Sequence, residues 1–230
     1  MKLLTIDTST SACSAAITDG ERLVGEYLLA GGPALSSRLF DCIDSLLAEC
    51  RLSLGDMDGF GVALGPGAFT GLRVGLGAVK GMALATGKPI AGFSSLAMLA
   101  LNVPMADRLV CPLFDARKDE VYAGFYRFGE SLRASAPDAV LSPADLPARI
   151  TEPALFLGDG AVRYRDQIAA SLGRLAVFAP SYAHTPRAAH GATLALAMLH
   201  RGERISAASL LPAYIRASEA EMARQRRESV

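Results

Sequence analysis

Three short stretches of this sequence carry residue types that can do chemistry on an anion. Asp7-Thr8-Ser9-Thr10-Ser11 sets a carboxylate beside four hydroxyls. Hydroxyls and turn amides hold phosphate oxygens, and a carboxylate among them can reach a bound magnesium ion. The plainer alternative is a polar turn in which Asp7 and Thr8 bond their own backbone. Gly65-Pro66-Gly67-Ala68-Phe69-Thr70-Gly71 lies between an apolar run and a helical pattern, so its free amides would face any anion placed there. It is not a P-loop, because no Gly-Lys-Ser/Thr follows and Arg73 is out of place for that lysine. It is not the dinucleotide fingerprint, whose third glycine is replaced here by Thr70. The other reading is a tight turn into a helix capped by Thr70. Asp115-Ala116-Arg117-Lys118-Asp119-Glu120 suits either a ligand site or a solvated hairpin tip.

Other chemistries find less. The histidines, His184, His190 and His200, stand six and ten residues apart, on different faces of a helix. A zinc peptidase helix needs two histidines four apart with a glutamate beside them. No Gly-x-Ser-x-Gly elbow of a serine hydrolase occurs. The cysteines, Cys13, Cys42, Cys50 and Cys111, form no Cys-x-x-Cys pair, and Cys42 and Cys50 read as small apolar residues of a helix.

The elements that must position these turns can be traced along the chain. Lys2 to Asp7 reads as a buried strand. Ala12 to Thr18 and Leu23 to Ala30 read as two more, joined by Asp19-Gly20, a hairpin signal. Residues 34 to 51 carry Leu35, Leu39, Cys42, Ile43, Leu46, Leu47 and Cys50 at helical spacing, with Arg38, Asp41, Asp44 and Glu49 opposite. Gly59 to Leu64 is a strand running into the glycine stretch. The helix beyond it keeps accepting glycine, at about 1 kcal/mol each relative to alanine. Residues 88 to 92 form a strand, and Ser94 or Ser95 caps a helix to about Leu101.

Residues 102 to 107, with Pro104, mark a boundary, giving expected units of 1–103 and 104–230. Beyond it come strands at 109–114, 120–128 and 133–141, and a short capped helix at Ser142-Pro143. A strand at 155–157 leads through Gly158-Asp159-Gly160 into a helix. Thr185-Pro186 opens another, which runs to about His200. Residues 212 to 216 look extended. The tail from Ser218 is charged and holds the one basic cluster, Arg224, Arg226 and Arg227. Both halves run strands first, then strand and helix alternately. Mixed sheets flanked by helices, twice over, is the expected α/β class.

Bulk composition narrows the function classes. The chain has 230 residues, 51% hydrophobic and 20% charged, with 23 basic and 23 acidic residues. That length holds one large domain or two small ones. A protein that grips nucleic acid alone carries a basic excess, and this one carries none. MKLLTIDTST turns polar too soon for a signal peptide, and Arg73 and Lys80 interrupt the most apolar run. The expected compartment is the cytosol, without membrane attachment.

Taken in order, IDTSTSACSAAI, GPGAFTGLRVGLGAVKGMALATGKPIAGFSSL, DARKDEVYAGFY and PAYIR resemble the TsaB family, also called YeaZ. The likeness runs along most of the chain and is thinnest from about residue 130 to 205. It implies the two related lobes of the actin-like, Hsp70-like and sugar-kinase-like ATPase superfamily. It also implies a non-catalytic subunit of the machinery that makes N6-threonylcarbamoyladenosine (t6A) at position 37 of tRNAs reading codons that begin with A. The implied partners are TsaD, a paralogue that carries the metal site and transfers the threonylcarbamoyl group, and TsaE, an ATPase. A separate synthase supplies threonylcarbamoyl-adenylate. The resemblance implies no cofactor for this subunit, with ATP or ADP and magnesium acting in the complex, and tRNA met through the complex. The sequence departs from the family at Ala34 to Asp41. There the histidine followed by Ser or Thr, and the later proline, of many relatives are missing.

The glycines acquire a purpose in this light. Gly71 and Gly75 lie four apart, as do Gly77 and Gly81, forming small-residue strips that admit a second helix. With Arg73, Val74 and Ala78 they are expected to make a partner interface for a homodimer and for TsaD, the alternative being close packing inside the chain's own lobe. Asp7, Thr8, Ser9, Gly65, Gly67, Thr70, Asp115 and Arg117 are expected to form a vestigial nucleotide or phosphate site. The competing function is a small-molecule kinase or ATPase of the same fold, with Asp7 on magnesium and residues 65 to 71 near phosphates.

Overall fold

Along Lys2–Asp7, Leu4 and Ile6 alternate with Leu3, Thr5 and Asp7, and every one of these side chains is buried. A strand buried on both faces belongs in the middle of a sheet that is covered twice. The computed structural model, which describes residues 1–31 and 35–216, places it there. β1 (Lys2–Asp7) pairs antiparallel with β2 (Cys13–Asp19), which turns at Asp19-Gly20 into β3 (Arg22–Leu29). α1 (Leu39–Cys50) follows, then β4 (Gly59–Gly65), parallel to β1. α2 (Phe69–Thr86), β5 (Ile90–Ser94) and α3 (Ser95–Ala100) complete the first lobe, whose sheet order is β3-β2-β1-β4-β5. The start of the helical pattern at Ala34 and the basic cluster Arg224, Arg226 and Arg227 lie outside the described residues.

The second half repeats this topology strand for strand. β6 (Leu109–Arg117), β7 (Glu120–Phe128) and β8 (Leu132–Leu141) form an antiparallel meander. A short 3₁₀ turn capped by Ser142 leads to β9 (Ala154–Leu157), then α4 (Asp159–Arg163), α5 (Arg165–Leu172) and β10 (Ala176–Phe178). Its order is β10-β9-β6-β7-β8, the first sheet's order read from the other edge. In each sheet the central strand pairs antiparallel with the next strand and parallel with the fourth. The Asp7 turn and the Asp115 turn are thus equivalent, each leaving its sheet's central strand. β10, three residues long, has no sequence signal that separates it from a loop.

Two helices cover one face of the first sheet. Leu4, Ile6, Phe60 and Val62 pack with Ile43 and Leu46 of α1 and with Leu72, Val79 and Met82 of α2. The other face is covered from far along the chain. α6 (Ala188–His200) brings Ala195, Leu196 and Leu199 onto Leu3, Ala63, Ala91 and Phe93. Its alanines let it approach closely: a Cβ on Gly61 would stand 2.9 Å from the Ala195 methyl. Glu26 of β3 holds its first turn by accepting from the Ala189 amide and pairing with Arg187, and Ser14 Oγ accepts from the Ala188 amide. The expected boundary at 103/104 falls in the link between α3 and β6, yet residues 188–200 return to the first lobe. The lobes also meet where Asp138 of β8 accepts from Ser94 (2.5 Å) and from the Tyr126 hydroxyl (2.6 Å). No helix among the described residues is long and apolar enough to cross a membrane.

Candidate functional site

Between the lobes lies a cleft of about 910 Å³. Residues 9 to 11 and 67 to 70 line its first wall, residues 114 to 118 with Tyr122, Asp159 and Arg163 the second, and Tyr214 and Arg216 one side. All three stretches singled out in the sequence therefore meet here. Their roles within the cleft differ.

The first stretch is sealed. Asp7 is 0% exposed, Thr8 2% and Ser9 1%. Asp7 Oδ1 accepts from the Ser9 amide at 3.0 Å, while Oδ2 has no partner. The Ser9 hydroxyl lies near the carboxylate without reaching hydrogen-bond geometry. Burial pushes the Asp7 pKa up to about 6, against the pull of Ser9. The Thr8 hydroxyl is spent on the Gly71 carbonyl, 2.7 Å away. This corrects the phosphate and magnesium reading of Asp7, Thr8 and Ser9: their side chains are turned into the protein, and the carboxylate has no path to a metal in the cleft.

The glycines do the sealing. A Cβ on Gly67 would run into the Ser9 carbonyl, and one on Gly71 into the Thr8 carbonyl. One on Gly75 would stand 2.5 Å from Thr8 Oγ1. Gly65, at φ +126°, is held between β4 and the carbonyl of Ala213, 2.9 Å from where its Cβ would be. The expected partner strip is corrected accordingly. Gly71 and Gly75 face the chain's own first turn, and Ala78 is buried in the α1–α2 core. Gly77 and Gly81 point the other way, with nothing within 4 Å. Positions 75 and 77 are about 200° apart around a helix, so two strips that each repeat every four residues occupy opposite faces. Arg73, Gly77 and Gly81 are exposed, Val74 is half-buried, and Leu84 continues their face at 69% exposure.

Thr70 does not cap α2. Ala68 is the N-cap, without a side-chain hydrogen bond, and Thr70 is exposed at the cleft in the first turn. Asp115 and Arg117 do line the cleft. Asp115 is shared by two guanidiniums, Arg163 at 3.0 Å and Arg117 at 3.6 Å. Arg117, Lys118 and Asp119 all have positive φ, 62°, 54° and 56°. Left-handed backbone costs a non-glycine residue roughly 1–2 kcal/mol, so the fold holds this hairpin tip at the cleft mouth against local preference. Asp159 accepts from the Asp115 amide (3.1 Å), and burial raises its pKa.

One component was undervalued in the sequence. Residues 212–216, expected only to be extended, strap the two lobes together. The Ala213 amide donates to the Leu64 carbonyl at the end of β4 (2.9 Å). Tyr214 stacks on Phe69 with ring centroids 5.0 Å apart, and Arg73 lies 3.8 Å from the Phe69 ring on α2. Arg216 then donates to the Ala116 carbonyl and pairs with Glu120, both at 3.0 Å, on the second lobe. Its signal in sequence was an aromatic and an arginine, Tyr214 and Arg216, two apart beyond the last helix.

His184 and His190 are structural. His184 accepts from the Gly158 amide through Nδ1 (3.0 Å) and meets the Ala179 carbonyl through Nε2 (3.1 Å). His190 Nδ1 meets Asn102 Oδ1 at 2.7 Å, while Asn102 Nδ2 donates to the carbonyls of Ala183 and Thr185. Desolvation lowers the pKa of both imidazoles. The thiols of Cys13 and Cys111 are pushed up by burial, Cys13 to about 12.

The family model described as "TsaD: tRNA N6-adenosine threonylcarbamoyltransferase" matches residues 32–224. The tRNA threonylcarbamoyladenosine biosynthesis protein TsaB of Bacillus subtilis is 32% identical over 225 residues, 96% of either chain. A solved structure of YeaZ from Pseudomonas aeruginosa superposes with a TM-score of 0.80 at 31% identity, covering 93% of this chain and 99% of its own. The ROK hexokinase of Thermus thermophilus shares the two-lobed fold alone, with a TM-score of 0.53 at 12% identity, over 88% of this chain and all of its own.

Proposed function

The chain belongs to the TsaB (YeaZ) family, and from that premise we propose that it acts in t6A biosynthesis as a non-catalytic subunit that scaffolds TsaD. The observation that carries this reading is the burial of Asp7. The competing kinase or ATPase reading puts Asp7 on magnesium, and here Gly67, Gly71 and Gly75 pack against Thr8 and Ser9 and close the turn. The residues present therefore do not fit a magnesium nucleotide at that position. We assign the nucleotide and metal chemistry of the assembly to its partners, TsaD and TsaE, and no cofactor to this subunit.

What the chain offers instead is a surface. The outward face of α2, with Arg73, Gly77, Gly81 and Leu84, is exposed, and its two glycines admit a second helix at close range. This is the face we assign to TsaD and, when the chain is alone, to a second copy of itself. The test is reconstitution. The chain alone should leave unmodified tRNA unchanged and hydrolyse no ATP above background. Added to TsaD, TsaE and threonylcarbamoyl-adenylate, it should be required for t6A formation. Steady ATP turnover by the isolated chain, abolished by Asp7→Ala, would replace this reading with the kinase.

A further inference from the structure

Although the chain as a whole carries equal numbers of acids and bases, its cleft does not. Five cationic side chains line it, Arg73, Arg117, Lys118, Arg163 and Arg216, against two carboxylates, Asp115 and Asp159. Asp115 already serves two guanidiniums, and Asp159 accepts from the Asp115 amide. The cations come from α2, the β6–β7 tip, α4 and the strap, so they spread along both walls. Two further features point into the same space. The first turn of α2, an 18-residue helix, opens on the cleft without a side-chain cap. Uncapped helix amides beside Arg73 and the tip cations favour an anion. Beside it the Tyr214 ring, 37% exposed, offers an aromatic surface.

We infer that this cleft binds a single-stranded stretch of RNA, with a backbone phosphate at the start of α2, the neighbouring phosphates along Arg117, Lys118 and Arg163, and a base against Tyr214. The inference rests on the t6A reading for why RNA should be present, and on the cleft for where it goes. Distributed cations with an aromatic face are how single strands are held without reading sequence. A free magnesium nucleotide suits the cleft less well, because its metal carboxylate is sealed.

The tip can be neutralised without disturbing its backbone, since asparagine tolerates left-handed φ. The full-length chain and its Arg117→Asn/Lys118→Asn variant are titrated into a labelled anticodon stem-loop RNA at several salt concentrations. Arg149→Asn/Arg174→Asn, which removes two exposed charges of the same lobe outside the cleft, is the control. The tip variant should bind about tenfold more weakly, and its salt slope should fall by about 1.4, at about 0.7 per lost phosphate contact. The control should stay near wild type, and excess AMP should not displace the RNA. Equal losses in tip and control variants would overturn the inference, showing only a net-charge effect. So would displacement by stoichiometric AMP, which would make the cleft a mononucleotide pocket. If tip and wild type bind alike while both support t6A formation with TsaD, the RNA site lies elsewhere and the t6A reading stands. If the tip variant loses RNA but no version of the chain supports t6A, the cleft assignment stands and the t6A reading falls.

Discussion

Arg73 Nε donates to the Tyr214 hydroxyl at 3.1 Å, although 141 residues of sequence separate them. This bond joins the outward face of α2 to the strap, and both residues also line the inter-lobe cleft. A shallow groove between α2 and the strap shares them too. The surface assigned to a partner and the cleft assigned to RNA therefore meet at one pair of side chains.

Cutting this pair should loosen the lobes measurably. Tyr214→Phe removes the hydroxyl acceptor and should cost about 0.5–1.5 kcal/mol in urea denaturation. Tyr214→Ala also removes the stacking on Phe69 and should cost about 0.5–1.5 kcal/mol more. If Tyr214→Ala unfolds at the wild-type urea concentration, the strap contributes nothing to holding the lobes.

The helix glycines separate into two classes that substitution can tell apart. Gly75→Leu must drive its side chain into Thr8 and should destabilise or unfold the protein. Gly77→Leu enters open space, should keep or slightly raise the thermal midpoint because helix propensity favours leucine by up to about 1 kcal/mol, and should weaken TsaD binding and self-association. A Gly77→Leu protein with full TsaD affinity would remove this face of α2 from the interface.

Asp7 makes the protein's stability depend on pH in an unusual direction. Its folded pKa, about 6, lies above the ordinary 3.8. Between these values the native state keeps a proton that the unfolded chain releases, so this group's contribution falls as pH rises from about 4 to 6 and stays lost above. Asp7→Asn should therefore stabilise the protein at pH 8, by at most about 3 kcal/mol for a shift of that size, with the difference vanishing near pH 4. Chemical denaturation of both proteins across this range checks it. A variant less stable than wild type at pH 8 would show that the carboxylate charge is compensated.

His184 works in the opposite sense. A donor at Nδ1 and a carbonyl at Nε2 are both satisfied only by the neutral ring protonated at Nε2. With its pKa below the ordinary 6.5, the stability it contributes is present above that value and lost as pH falls through the lowered one. Imidazole nitrogen shifts in a pH titration should show the Nε2–H tautomer throughout the neutral range. An Nδ1–H form would contradict the hydrogen bond from Gly158.

Strand alternation, the Asp19-Gly20 turn and the helical spacing of Leu39, Ile43 and Leu46 are local properties. The sequence therefore determined most elements, the doubled order of the lobes and the presence of three chemistry-bearing turns. Ordered motifs from IDTSTS to PAYIR were enough to point to the family. Which way each side chain faced was decided by contacts between residues far apart. Whether Asp7 reaches the cleft depends on Gly67 and Gly71, some 60 positions later, and whether Gly75 or Gly77 is free depends on where Thr8 sits. Pattern reading assigned both glycine pairs to one purpose because it knows a helix's period but not its rotation against the sheet. It missed the return of α6 to the first lobe, since an alanine-rich face fits any close-packed surface and only Gly61 and Ala195 in contact select one. The strap was decided the same way: an aromatic and an arginine two apart do not say what they touch, and the role of Tyr214 and Arg216 exists only once Phe69, Arg73, Ala116 and Glu120 have been brought within reach by the fold.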